Sequence, residues 1–319
     1  MAVKRSNKKN TKKRKEKYPA LREKILIIGD PHCNQGREKA WDYAKRSLFK
    51  VIAKESFDKA IITGDLFDKT PTIKERVMMA NFLQQLSKHR KCKEIILIKG
   101  TDSHEMTNGY YNFEDITVLT NIQAWKELAL GKYVFGHYEV KGTRYINGHL
   151  SESNRKVDPQ LIYVLGHIHQ PVCSFKNVNY VGSLYKVSFS EIEDQKRIGI
   201  IENNKLKWKQ IDSRPMYEIN LIGEGGKVKG SGLKKLQSNK ETDIDLKIKA
   251  ITDTVSVGEI HRAINKIRKQ YKVEYYKEEI KVKEIKTDIP EDLNQEELLK
   301  KYCELKKVSY AIINKELSK

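Results

Sequence analysis

Alternation between apolar runs and amphipathic stretches predicts a layered α/β core in the first third of the chain. Residues 24–30, 59–65 and 94–100 are apolar runs that end in glycine or glycine–aspartate, which is typical of buried strands. Residues 37–56 and 73–90 lie between these runs and repeat apolar side chains at helical spacing. Strand–helix–strand order at this spacing predicts right-handed crossovers.

The pattern of apolar positions changes in the second half of the chain. Residues 131–212 are predicted to form short strands separated by turns, and a second unit begins near Arg214. In this unit, residues 244–253 and 271–285 alternate apolar and polar side chains, as strands with one exposed face do. Residues 256–270 lie between them and have helical spacing. We therefore expect a small α+β domain.

The start of one helix and the two chain ends carry further signals. The helix predicted over residues 256–270 begins with Ser256 and carries Glu259 three positions later, which is the pattern of a capping box. The chain therefore divides into four expected segments: a disordered basic arm (1–20), a first domain (21–213), a second domain (214–290) and a C-terminal segment of one or two amphipathic helices (291–319).

Composition narrows the classes of protein that remain. No run of about 18 apolar residues is present, so we expect no membrane-spanning helix. The N-terminal stretch lacks the apolar segment of a secretory signal. The four cysteines lie far apart without a Cys-x-x-Cys pair, which argues against a disulfide framework and a structural zinc site. These features favour the reducing cytoplasm as the location.

The charge balance favours a polyanionic partner. The 62 Lys and Arg residues exceed the 42 Asp and Glu residues, which gives a net charge of +20. Nine of these basic residues lie within residues 1–18. Nucleic acid is the commonest partner for such a surplus. A solvated lysine-rich surface without a partner is the alternative that charge alone leaves open.

Acidic and histidine side chains follow the predicted strands at the points where these strands end. The residues concerned, in chain order, are Asp30, His32, Asp65, Asp68, Asp102, Ser103, His104, His137, His167 and His169. Ligands bind beyond the carboxyl ends of strands in open α/β sheets, so these side chains are expected on one rim. Carboxylate and imidazole without thiolate suit manganese, iron or zinc in a two-metal hydrolytic site.

The order of these elements resembles that of the calcineurin-like metallophosphoesterases. Its parts are Asp-x-His (30–32), Gly-Asp-x-x-Asp (64–68), a Gly…His-Glu element (100–105) and Gly-His-x-His (166–169). The resemblance extends over about residues 24–212. Two longer stretches, VFGHYEVKG and GHIHQPVCSFKNVNYVGSLYKVSFSE, are similar to the SbcD-type DNA repair nucleases, including phage versions.

The resemblance implies a fold and an activity. The expected fold is a four-layer metallophosphoesterase β-sandwich flanked by helices, with a small α+β capping domain that helps to hold DNA. The expected activity is two-metal hydrolysis of DNA at ends, as an exonuclease or endonuclease in recombination and repair. It further implies two divalent ions, most commonly Mn²⁺, a homodimer, an SbcC-type coiled-coil ATPase partner, and a cytoplasmic location (the host cytoplasm for a phage protein).

The resemblance also assigns roles to single residues. Asp30, His32, Asp65 and His169 match the family's ligands of one metal ion. His137 and His167 match ligands of the second ion, and Asp65 matches the ligand that bridges the two. His104 matches the catalytic histidine that contacts the scissile phosphate. Asp68 matches an acid that braces the metal-site loop, with an ordinary turn aspartate as the alternative.

One position departs from the family pattern. Ser103 precedes the catalytic histidine, where the family has an asparagine ligand to the second metal. Asp102 is the expected replacement ligand, and a weak Ser103 ligand or water are the alternatives. This departure keeps a non-catalytic DNA-binding scaffold open as a second function, beside a phosphoesterase for another substrate.

Two surfaces are expected to meet macromolecules. In the second domain, the basic residues of interest are Lys247, Lys249, Arg262, Lys266, Arg268 and Lys269, which contact DNA or form a solvated face. In the C-terminal segment, Leu298, Tyr302, Leu305 and Tyr310 lie near helical spacing. This helix either docks the ATPase partner or folds back on its own core.

Overall fold

A computed structural model describes residues 18–90, 92–102, 104, 122–145, 148–232, 236–237, 243–253, 256–283 and 295–306. The expectations for the basic arm before residue 18, for Ser103 and for the residues after 306 lie outside this part of the chain.

The strands, in chain order, are β1 (Ile25–Ile28), β2 (Lys59–Ile62), β3 (Glu94–Ile98), β4 (Ile122–Trp125), β5 (Glu127–Leu130), β6 (Tyr133–His137), β7 (Ile162–Gly166), β8 (Val172–Phe175), β9 (Val178–Tyr180), β10 (Arg197–Glu202), β11 (Lys205–Gln210), β12 (Met216–Glu224), β13 (Lys227–Ser231), β14 (Asp243–Thr252) and β15 (Lys272–Val282). The helices are α1 (Glu38–Ile52), α2 (Ile73–Ser87), α3 (Val257–Gln270) and α4 (Gln295–Lys306).

Two sheets form the first part of the fold. The six-stranded sheet has the order β11-β10-β1-β2-β3-β4, in which β1 to β4 run parallel to one another. The five-stranded sheet has the order β5-β6-β7-β9-β8. The three strands predicted in the first third of the chain are confirmed, and each ends before the glycine that follows it.

Hydrophobic clusters show how these sheets are layered. The parallel strands direct alternate side chains to opposite faces, as a pleated strand requires. Leu26 and Ile28 pack against the helices α1 and α2, whereas Ile25 and Ile27 pack against residues of the second sheet. The predicted apolar face of α1 is buried, with Trp41 0 % exposed. Helices, first sheet and second sheet therefore form three successive layers.

The outer face of the second sheet is covered by loop residues. Val140, Tyr145 and Val157 pack with residues of β6 and β7 in a separate cluster. Within the described residues no helix covers this face. The α/β class and the paired sheets agree with the fold that the sequence predicts, but the fourth layer of the described chain is irregular rather than helical.

The third sheet, β13-β12-β14-β15, packs on α3. Alternate residues of β14, such as Leu246 and Ile248, join Ile260 and Ile264 of the helix in one buried cluster. The predicted capping box at Ser256 is wrong. The Ser256 hydroxyl accepts a hydrogen bond from the backbone N–H of Gly226 at 2.9 Å and does not cap the helix.

A capping box is present at the start of α2 instead. The Thr72 side chain accepts from the Glu75 backbone N–H, and the Glu75 carboxylate accepts from the Thr72 N–H at 2.8 Å. The same carboxylate also accepts the N–H of Gln35 at 2.9 Å. Glu75 is therefore held by a tertiary contact as well as by the cap of its own helix.

A buried ion pair connects the third sheet to the first part of the fold. Arg37 contacts Asp245 of β14 at 2.6 Å, and its guanidinium lies 4.1 Å from the ring centre of Tyr275 on β15. The ring of Tyr275 stacks on Phe189 at 4.9 Å. Phe189 begins a short 3-10 helix, Phe189–Glu191, whose last residue reaches the candidate site.

None of the described helices is long and apolar enough to cross a membrane. The helix α4 is present as the sequence predicts, and its Cys303 is buried. Its docking role is a prediction that the fold leaves untested.

Candidate metal centre

The carboxyl ends of parallel strands from both sheets meet on one rim of the sandwich. Asp30 and His32 follow β1, Asp65 follows β2, His137 ends β6, and His167 follows β7. Gly166 makes this convergence sterically feasible, because a Cβ atom there would lie 2.2 Å from Oδ1 of Asp30.

Six of the predicted metal ligands fall into two clusters on this rim. The first comprises Asp30, His32 and His169, and the second comprises Asp65, His137 and His167. Within each cluster, one ligand atom from every residue lies within 4.8 Å of those of the other two. Mixed carboxylate and imidazole donors suit manganese, iron or zinc.

Asp65 lies between the two clusters and turns one carboxylate oxygen towards histidines of both. Its Oδ1 accepts hydrogen bonds from the backbone N–H and the hydroxyl of Thr101, each at 2.7 Å. Its Oδ2 lies 3.2 Å from Nε2 of His137 and 3.9 Å from Nε2 of His32. Burial alone would raise the pKa of Asp65, but contacts with His137, Thr101 and His32 hold it below its usual value. An ionised carboxylate in this position has the geometry of a bridging ligand.

The backbone is strained at three of the six ligands. His32, Asp65 and His167 have φ angles of 45°, 40° and 85°. Left-handed backbone in residues other than glycine is uncommon and costs of order 1–3 kcal/mol per residue. Such strain accumulates at functional sites, where the surrounding structure enforces it. The strained backbone therefore directs these three side chains towards the clusters at a cost in stability.

Unpaired buried nitrogen atoms provide a direct test of whether the clusters fit a metal ion. Both ring nitrogens of His32 and the Nε2 atom of His137 are buried without a hydrogen-bond partner. Burial, assisted by the neighbouring His169, lowers the pKa of His32 to about 4, so its ring is neutral at neutral pH. A neutral imidazole is the form that ligates metals. The two clusters therefore fit divalent ions.

The ring of His137 is oriented by a backbone contact. Its Nδ1 donates to the carbonyl oxygen of Thr63 at 2.7 Å, which leaves Nε2 facing Asp65. Burial opposes protonation of this ring, but Asp30 and Asp65 raise its pKa well above the usual value. The two carboxylates thus favour positive charge between them, which a bound ion would supply.

Two carboxylates that sequence reasoning missed hold the other histidines. Glu139 Oε1 lies 3.1 Å from Nε2 of His167, and Glu191 Oε1 lies 3.1 Å from Nδ1 of His169. Partners of this kind fix the tautomer and the ring orientation of a metal-binding histidine. Glu139 follows His137 by two positions, which is a usable sequence signal. Glu191 lies 22 positions beyond His169 and has no such signal.

His104 and Asp68 lie at the edge of the first cluster. The ring of His104 is 5.3 Å from that of His32, and its Nδ1 donates to the carbonyl oxygen of Asp68 at 2.6 Å. The Asp68 carboxylate lies 3.8 Å from Nδ1 of His32 and accepts a hydrogen bond from Asn34 at 3.0 Å. Asp68, His32 and His104 form a third group of potential ligands.

The structure does not bring Asp102 to the clusters. Its carboxylate is 69 % exposed and pairs with Lys99 at 2.6 Å. The hydrogen bond from Lys99 lowers the pKa of Asp102. In this conformation Asp102 is paired with Lys99 instead of facing an ion, and its role as a ligand stays a prediction; the alternative at Ser103 lies outside the described residues.

An open cleft of about 460 Å³ adjoins the two clusters. His167 and His169 form part of its wall, together with Tyr145, Gln170 and Glu191. The cleft therefore gives a substrate access to one histidine of each cluster.

A comparison with known families agrees with this geometry. The family model described as calcineurin-like phosphoesterase matches residues 23–171, which include every residue of the two clusters. No curated protein sequence matches the chain. Over residues 23–171 the chain is therefore similar to the calcineurin-like phosphoesterases, a family that hydrolyses phosphate esters with divalent metal ions.

Proposed function

We propose that the protein is a two-metal-dependent DNA nuclease that hydrolyses phosphodiester bonds at DNA ends in recombination or repair. The observation that carries the proposal is the position of Asp65 Oδ2, which faces histidines of both ligand clusters. Ions of this arrangement activate water and clamp the attacking and leaving oxygens of a phosphate ester. Manganese is the proposed metal.

The ligands have separate tasks in this proposal. Asp30, His32 and His169 would hold one ion and His137 and His167 the other, with Asp65 available to both. The Nδ1–H of His104 donates a hydrogen bond to the Asp68 carbonyl oxygen, which leaves Nε2 to face a phosphate oxygen. With Nε2 also protonated, as an imidazolium, His104 would stabilise negative charge on the phosphate or pass the Nε2 proton to the leaving oxygen.

The net charge of +20 supports a DNA substrate. On the third sheet, Lys247 and Lys249 form ion pairs with Glu279 and Glu218 at 3.2 and 2.9 Å, so their charge is partly neutralised. The exposed side of α3 carries Arg262, Lys266 and Lys269 at helical spacing, of which Arg262 also pairs with Glu259 at 2.5 Å. We assign sequence-independent phosphate contacts to this side of α3, and binding should weaken steeply with salt.

Two protein partners belong to the same proposal. A coiled-coil ATPase of the SbcC type would bind the C-terminal segment that includes α4 (Gln295–Lys306), and two copies of the chain would form a dimer. Deleting residues 291–319 should abolish binding of the ATPase and spare metal-dependent cleavage. Loss of both properties would show that the segment belongs to the core.

The test is cleavage of end-labelled duplex and single-stranded DNA with Mn²⁺, with His104→Ala beside the wild-type protein. The wild type should cut, and the variant should bind metal and DNA but cut about 10²–10⁴-fold more slowly, because it lacks acid–base assistance. His89→Ala is the matched control, since His89 contacts the Glu55 carbonyl and belongs to none of the ligand groups.

Two results would replace the proposal with another function. Hydrolysis of a small phosphodiester without cleavage of any DNA would indicate a phosphoesterase for a different substrate. DNA binding without hydrolysis of either substrate, even with the ATPase partner added, would indicate a non-catalytic scaffold.

A further inference from the structure

A buried lysine lies directly behind one of the metal-binding histidines. The side chain of Lys196 is 0 % exposed. Its ammonium group lies within hydrogen-bond distance of four oxygens: the His169 carbonyl at 2.9 Å, Ser183 Oγ at 2.9 Å, Glu191 Oε2 at 2.6 Å and Asp194 Oδ2 at 3.2 Å. A buried ammonium requires this degree of pairing, because an isolated charge is strongly disfavoured away from water.

Glu191 connects the lysine to the imidazole ring. One oxygen of its carboxylate, Oε2, binds Lys196 and accepts the Ser183 hydroxyl at 3.1 Å. The other oxygen, Oε1, lies 3.1 Å from Nδ1 of His169. With Nδ1 donating to Glu191, Nε2 of His169 is the atom left for an ion. Lys196 therefore acts on both the backbone and the ring of His169, once directly and once through Glu191.

The corresponding support in the second cluster is built differently. Glu139, which holds His167, accepts hydrogen bonds from the hydroxyl groups of Tyr145 and Ser151. Its side chain is 22 % exposed, compared with 4 % for Glu191. Of these two carboxylates, Glu191 is the one that is paired with a buried cation. A change at Lys196 should therefore affect the first cluster and not the second.

We propose that Lys196 is a positioning residue of the metal centre. Through Glu191 it fixes the orientation of His169, and so it sets the affinity of the ion held by Asp30, His32 and His169. This inference rests on the proposed two-metal site. Loss of a residue that orients a metal-binding histidine typically weakens metal affinity 10–100-fold.

Titration of the metal-free protein with Mn²⁺, followed by calorimetry, tests the inference without any activity assay. The wild type should bind two ions. Lys196→Met should bind one of them about 10–100-fold more weakly and leave the other unchanged. Glu139→Gln is the matched control, because it should weaken the ion of the second cluster instead.

A double variant separates positioning from folding. Lys196→Met alone leaves the Glu191 charge buried without its ammonium, which destabilises a fold, whereas removing both partners of a buried pair is often nearly neutral. Glu191→Gln with Lys196→Met should therefore melt at a higher temperature than Lys196→Met in the metal-free state, although Asp194 also loses its ammonium partner, yet still bind one ion weakly.

Each outcome of these titrations bears on one of the two proposals. Wild-type affinity for both ions in the double variant would overturn the role of Lys196. Failure of the double variant to unfold cooperatively would also overturn it, since the network would then serve the fold. A wild-type protein that binds fewer than two ions would refute the two-metal site itself.

Discussion

Thr101 donates both its backbone N–H and its hydroxyl to the same carboxylate oxygen of Asp65, at 2.7 Å in each case. These two bonds fix the carboxylate, so the opposite oxygen points between the two ligand clusters. We expect Thr101→Val, which keeps the shape but removes the hydroxyl, to weaken binding of both Mn²⁺ ions by about tenfold or more. Calorimetric titration measures the affinity for each ion.

Thr101→Ser is the control for that prediction, because it retains the hydroxyl group. It should bind both ions nearly as the wild type does. Equal affinities in the valine and serine variants would show that the backbone N–H alone orients Asp65.

Gly166→Ala should disrupt the metal centre. A Cβ atom at this position would lie 2.2 Å from both Oδ1 of Asp30 and the carbonyl oxygen of Thr63, so one strand end must move. Overpacking of this kind costs about 1–3 kcal/mol or more. We expect a lower melting temperature and loss of bound Mn²⁺, measured by thermal unfolding and metal analysis.

Gly258→Ala provides the contrasting change. Nothing lies within 4 Å of a Cβ atom at Gly258, which is part of α3. Alanine should stabilise the helix by about 0.5–1 kcal/mol relative to glycine and leave the metal content unchanged. Destabilisation by both alanines would contradict the steric explanation for Gly166.

Thr72→Ala should cost about 1 kcal/mol, because it removes the side-chain cap of α2. For a domain of this size, such a loss corresponds to a melting temperature about 2–4 °C lower. Thr72→Ser retains the capping hydroxyl and should melt close to the wild type. A serine variant as unstable as the alanine variant would exclude the cap as the cause.

Glu55 should give the protein a component of stability that acid removes. Hydrogen bonds from Lys209 and Lys24 lower the pKa of Glu55 from an ordinary value of 4.5 to about 2. A group with a lowered folded pKa contributes stability above its unfolded value and loses it as the pH falls. The contribution should thus be complete above pH 4.5 and decline towards pH 2.

Urea denaturation of Glu55→Gln and the wild type at several pH values measures that contribution. The pair is partly exposed, with Lys209 38 % accessible, so we expect a difference of about 1 kcal/mol at neutral pH. The difference should shrink at pH 3.5. A difference that is independent of pH would exclude the ion pairs as its source.

The parts of the fold that the sequence predicts correctly are those with a local signal. The strand before Asp30 and the strand before Asp65 are apolar runs closed by glycine, and parallel strands place their carboxyl ends on one rim. This is why the residue types and their order are enough to predict a candidate metal site. The division of the later strands into a second sheet had no comparable signal.

Contacts between distant residues explain what sequence reasoning missed. Glu191 and Lys196 reach His169 through a chain of buried hydrogen bonds that no periodicity marks. At Ser256 the sequence has a capping pattern, but the hydroxyl accepts a hydrogen bond from the Gly226 N–H instead of capping the helix. Local propensity is a weak guide where a tertiary partner competes for the same atom.

Asp245, which is fully buried, contacts Arg37 at 2.6 Å and Arg214 at 3.1 Å. One carboxylate thus neutralises one cation beside α1 and another at the boundary before β12. Cutting the chain at this boundary would separate Arg37 from Asp245. The buried Arg37 guanidinium would then have lost its carboxylate partner. Replacing the third sheet by one from another protein would therefore require an aspartate at the position of Asp245, so that both arginines keep their anion.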